Sequence, residues 1–360
     1  MVSSDIAGKE RFVVLDGMRG LAALAVITDH VNSELMGRLL PGRYLAVDFF
    51  FVLSGFVLAH VYADRLKAGM SFADFMRARV VRLYPLYLVA ALAGAVLALI
   101  YAVKGWGDWS LLQVAGSLAF ALLMIPCPPG ASLWANAPYP LNGPSWSLFF
   151  ELFINAVFAL VARRLTPAVC LAFMAVGAIL LVPTAFGFGR LDGGFAWSNF
   201  VAGFPRVTFG FFAGVWIYQT RLHERVPALP AWAAYLALLG VFMAPAQGVW
   251  RSAVDLTAAL VLFPALVTLC ANSAARGTTL RASAAVGMLS YGVYVLHVPL
   301  WGWLQLAIAW LGLTPPGLVN VALVAAAALA AAGVLHVVYD APLRRRLAKW
   351  RPRTVAAAGD

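Results

Sequence analysis

Two neighbouring stretches decide the fold. RFVVLDGMRGLAALAVITDH runs from Arg11 to His30, and YLAVDFFFVLSGFVLAH from Tyr44 to His60. Both are apolar over a length that suits a membrane span. Yet the first holds Asp16, Arg19, Asp29 and His30, and the second holds Asp48 and His60. An ionisable side chain at bilayer depth is expensive unless it is paired or hydrated, so such residues read first as a site. On a helix, Arg19 and His30 lie eleven residues apart, on the same face, with about 16 Å between them along the axis. One helix then presents a guanidinium toward one membrane face and an imidazole toward the other.

Outside these stretches the composition is of one kind. The chain has 360 residues, 63% hydrophobic and only 11% charged, with a mean hydropathy of +0.86. A soluble protein of this length cannot hide that much apolar surface, and soluble domains keep about a quarter of their residues charged. Apolar runs of about 18 residues or more recur from end to end without strand-like alternation, which predicts an all-α polytopic bundle in the lipid bilayer. The net charge of +11 reads as loop Lys and Arg on the cytoplasmic side, not as a nucleic-acid surface. No cleavable leader is expected, because the first run lacks a small-x-small exit site and many spans follow. Cys127, Cys170 and Cys270 have no metal-ligand spacing and read as packing residues.

Eleven candidate spans can be placed, at 14–33, 44–62, 83–103, 110–126, 146–162, 167–186, 200–219, 230–247, 252–271, 286–310 and 318–339. Basic groups flank them, from Lys9, Arg11 and Arg19 through Arg65 to Arg82, Arg163/Arg164, Arg221/Arg225 and Arg276/Arg281 to Arg344–Arg346. Placing these on the cytoplasmic side puts both termini inside, which eleven crossings do not allow. The expectation is therefore about ten crossings of the inner membrane, with 110–126 as a re-entrant or interfacial helix. After it comes an uncharged, ordered, non-helical outer loop at 127–144, a wall or lid over an outer cavity. Residues 1–345 form one membrane domain, followed by a basic, disordered cytoplasmic tail at 346–360.

Several residues carry chemistry. His30 is a general-base candidate, or a histidine bonding at a helix end. Glu151, in NGPSWSLFFELF, sits among Phe and Leu six or seven residues into its span. That is near the expected depth of His30, so Glu151 is the carboxylate chosen to orient it, with Asp29 and Asp48 as alternatives. Arg206 and Arg43 are other partners for Glu151. Arg77, Arg79 and Arg82 open the third long span, with Arg79 and Arg82 on one face. They suit phosphates, or anchor the cytoplasmic end. Ser54 and Gly55 read as a close helix approach, and Asp48 as a helix-end group or a partner of Arg43. MLSYGVYVLHVPLW brings Ser290, Tyr291, Tyr294 and His297. His297 lines a cavity or bonds a carbonyl freed by Pro299. His60, His223 and His336 read as interfacial. No metal motif appears.

Five motifs in order, LDGMRGLAALAV…H, YLAVDFFFVLSGFVL, RARVVRLYPLYL, PSWSLFFELF and LSYGVYVLHVPL, resemble the membrane acyltransferase 3 family. The resemblance spans about residues 12–345. It implies a ten-helix membrane domain that moves acyl groups, often acetyl, from cytoplasmic acyl-CoA to hydroxyls of sugars, glycolipids or small molecules. The family's arginine, ten residues and histidine match Arg19 and His30. Its arginine pair, implicated in donor handling, matches Arg79 and Arg82, and its Trp-Ser-Leu and Glu stretch matches Trp146, Ser147, Leu148 and Glu151. The chain resembles the stand-alone type, without a fused esterase-like domain. It departs from the family at Asp29, before the histidine, and at Leu152, where many relatives carry a second acid.

The resulting expectation is an O-acyltransferase with acyl-CoA as co-substrate, no bound cofactor and no metal. His30 and Glu151 are the catalytic pair, and Arg19, Arg77, Arg79 and Arg82 bind the donor. Asp29, Asp48, Ser54, Trp146, Ser147, Tyr291 and His297 line the acceptor site or cavity. A carbohydrate or glycolipid is the acceptor. The alternative is a transporter or flippase of a sugar-linked substrate, which would suit a polar-lined bundle but leaves the chain without the matched broken halves common in such proteins.

Overall fold

The protein is described by a computed structural model covering residues 12–31 and 33–349. These residues form helices, turns and loops, with no strand among them. The helices run in order as α1 Val13–His30, α2 Ser33–Leu39, α3 Ala46–Lys67, α4 Phe72–Lys104, α5 Leu111–Leu122, α6 Ser145–Val161 and α7 Pro167–Phe188. They continue as α8 Gly203–Gln219, α9 Ala231–Met243, α10 Val249–Thr257, α11 Phe263–Cys270, α12 Gly277–Trp310, α13 Gly317–Leu335 and α14 Ala341–Lys349. Among the described residues, 8 helical stretches are long and apolar enough to cross a membrane. The 18-residue α1 is about 27 Å long and carries Asp16, Arg19 and Asp29.

Two short helices fall below a span. The 12 residues of α5 give about 18 Å, too little to cross a hydrocarbon core of about 30 Å. This matches the expectation for 110–126. The 13 residues of α9 give only about 20 Å, where 230–247 was expected to be a full span. The chain leaves the helix at Ala244, before Pro245, because proline disfavours helix in the residue preceding it. Residues 346–349, expected in the disordered tail, belong to α14, and the rest of that tail lies outside the described residues.

Two helix pairs organise the bundle. α1 lies along α12, and α3 along α8. Glycine permits both approaches. A Cβ at Gly55 of α3 would overlap the Phe211 carbonyl of α8, and one at Gly214 would overlap the Val52 carbonyl. In membranes, where lipid is as apolar as leucine, such small-residue contacts are a main source of helix association. Asp16 meets Gly287, Arg19 meets Ser290 and His30 meets His297, so α1 and α12 run parallel. We call the face where both begin the proximal face and the opposite one the distal face.

The proline inside α12 has its consequence met locally. Pro299 in α12 removes the donor that would pair with the Val295 carbonyl. The Asn142 amide, from the loop after α5, takes that carbonyl at 2.9 Å. The same loop is ordered by the Cys127 amide on Pro138 O at 2.8 Å and by the Trp197 indole on Cys127 O at 3.0 Å. It is a wall packed onto α4 and α12.

The distal half is held by buried ion pairs. Arg206 of α8 donates twice to Asp48 of α3, at 2.9 and 2.6 Å, and once to Gly193 O at 2.5 Å. The Trp146 ring lies under the guanidinium, 5.3 Å away. Asp255 accepts from Arg251, from the Tyr44 hydroxyl at 2.6 Å and from the Leu191 amide at 2.9 Å. Removing one member of a buried pair leaves a stranded charge, which typically costs about 3–5 kcal/mol, whereas replacing both by apolar groups is often neutral. Asp48→Asn is accordingly expected to lower unfolding stability in detergent by about that amount, and the double variant Asp48→Leu/Arg206→Leu to regain most of it. Equal unfolding midpoints for Asp48→Asn and the parent would show that the pair does not carry this load.

Candidate active site

A cavity of about 230 Å³ opens among α1, α3, α4, α6 and α12. Its proximal end gathers three arginines. Arg19 comes from α1 and is held by Ser290 Oγ at 2.9 Å, Gly287 O at 2.8 Å and the Asp16 carboxylate at 2.7 Å. Arg79 and Arg82 come from one face of α4, as their spacing of three predicts. Arg82 lies 5.3 Å from the Tyr291 ring centroid and makes no hydrogen bond among the described residues. Arg79 has a buried Nε without a partner. Both guanidiniums therefore keep donors unused beside the cavity, the arrangement that phosphate oxygens complement.

Glu151 belongs to this end. Its Oε1 accepts from the Ser54 hydroxyl at 2.5 Å and from Arg79 Nη2 at 3.3 Å. The Arg79 and Glu151 side chains are 12% and 13% exposed, so the pair is well shielded. This corrects the assignment of Glu151 to His30, and the alternatives Arg206 and Arg43. Arg206 belongs to Asp48 and Arg43 to Asp29, at 3.0 Å. The depth argument placed Glu151 too close to the distal end. Ser147, one turn before it on α6, already sits level with Tyr294, and His297 lies a further turn distal on α12.

Beyond Glu151 the lining turns to hydroxyls. Ser147 Oγ and Tyr294 Oη lie 2.6 Å apart, and both reach the Pro144 carbonyl, at 3.1 and 3.2 Å. Phe50 closes on the Tyr294 ring at 5.6 Å between centroids. Past this pair is a second polar group. His30 ends α1, and its Nδ1 lies 3.2 Å from His297 Nε2 and 3.1 Å from Val26 O. His30 is half-buried, and His297 is fully buried. The freed carbonyl at Val295 goes to Asn142, which removes that reading of His297. The Asp29–Arg43 ion pair stands beside His30. Near it, in the loop before α8, burial pushes the Asp192 carboxyl up to about 7 against the pull of Arg190, 2.5 Å away.

Of the residues singled out from sequence, the cavity brings together Arg19, Ser54, Arg79, Arg82, Ser147, Glu151 and Tyr291. His30, His297 and Asp29 form the distal group. Three are elsewhere. Arg77 is two residues from Arg79, nearly opposite on the helix, and donates to Leu347 O of α14 at 2.9 Å. Asp48 and Trp146 belong to the Arg206 cluster, because their face of α3 and α6 meets α8 instead of the cavity. His60 and His223, expected at the interface, pack with Phe12, Phe56 and Tyr218 at the proximal end. Sequence reasoning did not rank Ser290 and Tyr294 as site residues. The signal was present, since Ser290, Tyr294 and His297 sit at i, i+4 and i+7, one stripe of a helix.

Comparisons with known proteins agree with this architecture. The family model of acyltransferase 3, described as "Acyltransferase domain", matches residues 12–337. "Acyltransferase MdmB" of Streptomyces mycarofaciens is 30% identical over an alignment of 425 positions, covering 97% of this chain and 95% of that protein. "Protein 2 in picA locus" of Rhizobium radiobacter is 42% identical over 188 residues, 50% of this chain and 97% of that protein. A stretch of 73 residues is 37% identical to "Putative peptidoglycan O-acetyltransferase YrhL" of Bacillus subtilis, covering 20% of this chain and 11% of that protein. No solved structure matches. With the family model covering nearly all of a helical membrane bundle, the chain belongs to the acyltransferase 3 family and is a membrane acyltransferase, moving acyl groups other than aminoacyl groups.

Proposed function

We propose that this protein is an O-acyltransferase of the inner membrane that takes an acyl group, expected to be acetyl, from acyl-CoA and passes it to a hydroxyl of an envelope carbohydrate or glycolipid. The proximal face is cytoplasmic in this reading, and both termini lie there. Arg65, Lys67, Arg344, Arg345 and Arg346 cluster at the proximal helix ends, as the bias of Lys and Arg toward cytoplasmic loops requires. The word O-acetyltransferase in the name of one relative supports the acetyl group and a polysaccharide acceptor.

One observation carries the reading. Arg19, Arg79 and Arg82 surround the proximal end of a cavity that runs to Ser147 and Tyr294, and the His30–His297 pair lies just past it. The arginines would hold the donor's phosphates, with Glu151 and Ser54 fixing Arg79. The pantetheine arm would fill the cavity and bring the thioester toward His30. As the acceptor oxygen bonds to the acyl carbon, its proton passes to the His30 imidazole. The carbon–sulfur bond breaks, and the thiolate leaves and takes up that proton as the free thiol of CoA. No water is consumed, and no acyl-enzyme is needed.

A positioned general base is typically worth about 10²–10⁴-fold. Purified His30→Ala is therefore expected to lose at least about 100-fold in acyl transfer while keeping its unfolding midpoint. Transfer at the parental rate would remove His30 from the mechanism. Arg79→Ala and Arg82→Ala are expected to raise KM for acyl-CoA about tenfold or more, the size of one or two lost charge-assisted bonds, with KM for the acceptor nearly unchanged. Equal loss on both substrates would mark the two arginines as anchors of the fold. Movement of unmodified sugar-linked substrate without acyl-CoA would favour a transporter instead.

A further inference from the structure

The His30–His297 contact decides more than proximity. His297 Nδ1 faces two carbonyl oxygens, Tyr294 O at 2.8 Å and Val293 O at 3.2 Å. Carbonyls only accept, so this nitrogen carries a proton. In the neutral ring the other nitrogen, Nε2, then offers a lone pair. It offers that pair to His30 Nδ1, 3.2 Å away. A doubly protonated His297 would set two N–H groups against each other, because His30 Nδ1 also faces a carbonyl, Val26 O at 3.1 Å. Two acceptors of different origin thus point at one atom of His30.

We propose that His297 is a positioning residue that locks His30 in the tautomer protonated at Nδ1, leaving Nε2 as the basic atom. The inference rests on the reading of His30 as general base. It gives His297 the part that a carboxylate plays where an aspartate orients a catalytic histidine. No carboxylate is hydrogen-bonded to His30 among the described residues, and the adjacent Asp29 is committed to Arg43. An imidazole suits the place. His297 is fully buried, and a neutral acceptor there avoids the cost of an unpaired carboxylate at membrane depth. The turn that carries His297 also carries Tyr294, whose hydroxyl shapes the end of the cavity, so substrate placement and base orientation share one piece of α12.

The chain has 5 histidines, which makes nitrogen NMR of the [15N]histidine-labelled protein in detergent tractable. The His30 signals are identified by their loss in His30→Ala. In the parent they are expected to report a proton on Nδ1 and a bare Nε2. His297→Gln, whose amide oxygen can accept the same bond, should keep this pattern and keep kcat within about threefold. His297→Leu should give a mixture of tautomers and lower kcat about tenfold, the order of one lost hydrogen bond, with KM for acyl-CoA and acceptor within about twofold. A parent His30 protonated at Nε2 overturns the inference while leaving the general-base reading intact, provided His30→Ala is inactive. Parental transfer by His30→Ala overturns both. Should His297→Leu fail to fold, the parent's tautomer and the His297→Gln kinetics decide alone, and a His297→Gln loss as large as that of His30→Ala counts against it.

Discussion

The close parallel contact of α1 with α12 is the constraint on which the site depends. Gly20 of α1 and Gly287 of α12 leave no room for a side chain between the two helices, and a Cβ at Gly17 would meet the Tyr235 hydroxyl and Ser283. At that distance Arg19 reaches both Gly287 O and Ser290 Oγ, and His30 reaches His297. Arg19 and His30, about 16 Å apart along the axis of α1, thus share one neighbouring helix. Move α12 outward and both lose their interhelical partners together, keeping only Asp16 and the Val26 carbonyl on α1. This is how a guanidinium and an imidazole persist on one apolar helix: α12 completes the hydrogen bonding that Asp16 and the Val26 carbonyl begin on α1 itself.

The rest of the bundle keeps its charges in the same way, with a division of labour. In the distal half the ion pairs are closed. Asp48 with Arg206, and Asp255 with Arg251 and Tyr44, satisfy one another and hold α3, α8 and α10 together. At the proximal end of the cavity they are left partly open. Among the described residues Arg82 makes no hydrogen bond and lies against the Tyr291 ring, and Arg79 keeps an unused Nε. Unsatisfied buried donors cost stability unless something else supplies acceptors. Arg79 Nε is one such donor, and it stands beside the cavity. The closed pairs fix helices to one another, and the open ones are the donors that the proposed function uses.

Much of this was legible in the chain itself. A span is a property of local composition, so the helical membrane bundle could be read directly, while 110–126 was set apart only by the placement of Lys and Arg around it, and 230–247 was read as longer than α9. Relations along one helix were legible too. Arg19 and His30 do share a face, and so do Arg79 and Arg82, while Arg77, two residues away, does not. Relations between helices were not legible. Glu151 was assigned to His30 by matching depths, but depth along an axis says nothing of which neighbour a side chain meets, and an error of one turn, about 5 Å, changes the partner. Asp48 could not be separated from the site for the same reason. The partner of His30 comes from the far end of the sequence, 267 positions away, on a helix whose stripe of Ser290, Tyr294 and His297 nothing local ties to α1.

In the proposed function the bundle carries an acyl group from a cytoplasmic donor to an envelope hydroxyl. Mass spectrometry of cell-envelope glycans, compared between cells with and without this protein, tests it most directly. The predicted result is a mass difference of one acyl group on a glycan species, lost when the protein is absent. Identical acylation in both samples, with the unmodified glycan found only on the cytoplasmic side when the protein is missing, would contradict it and point to transport.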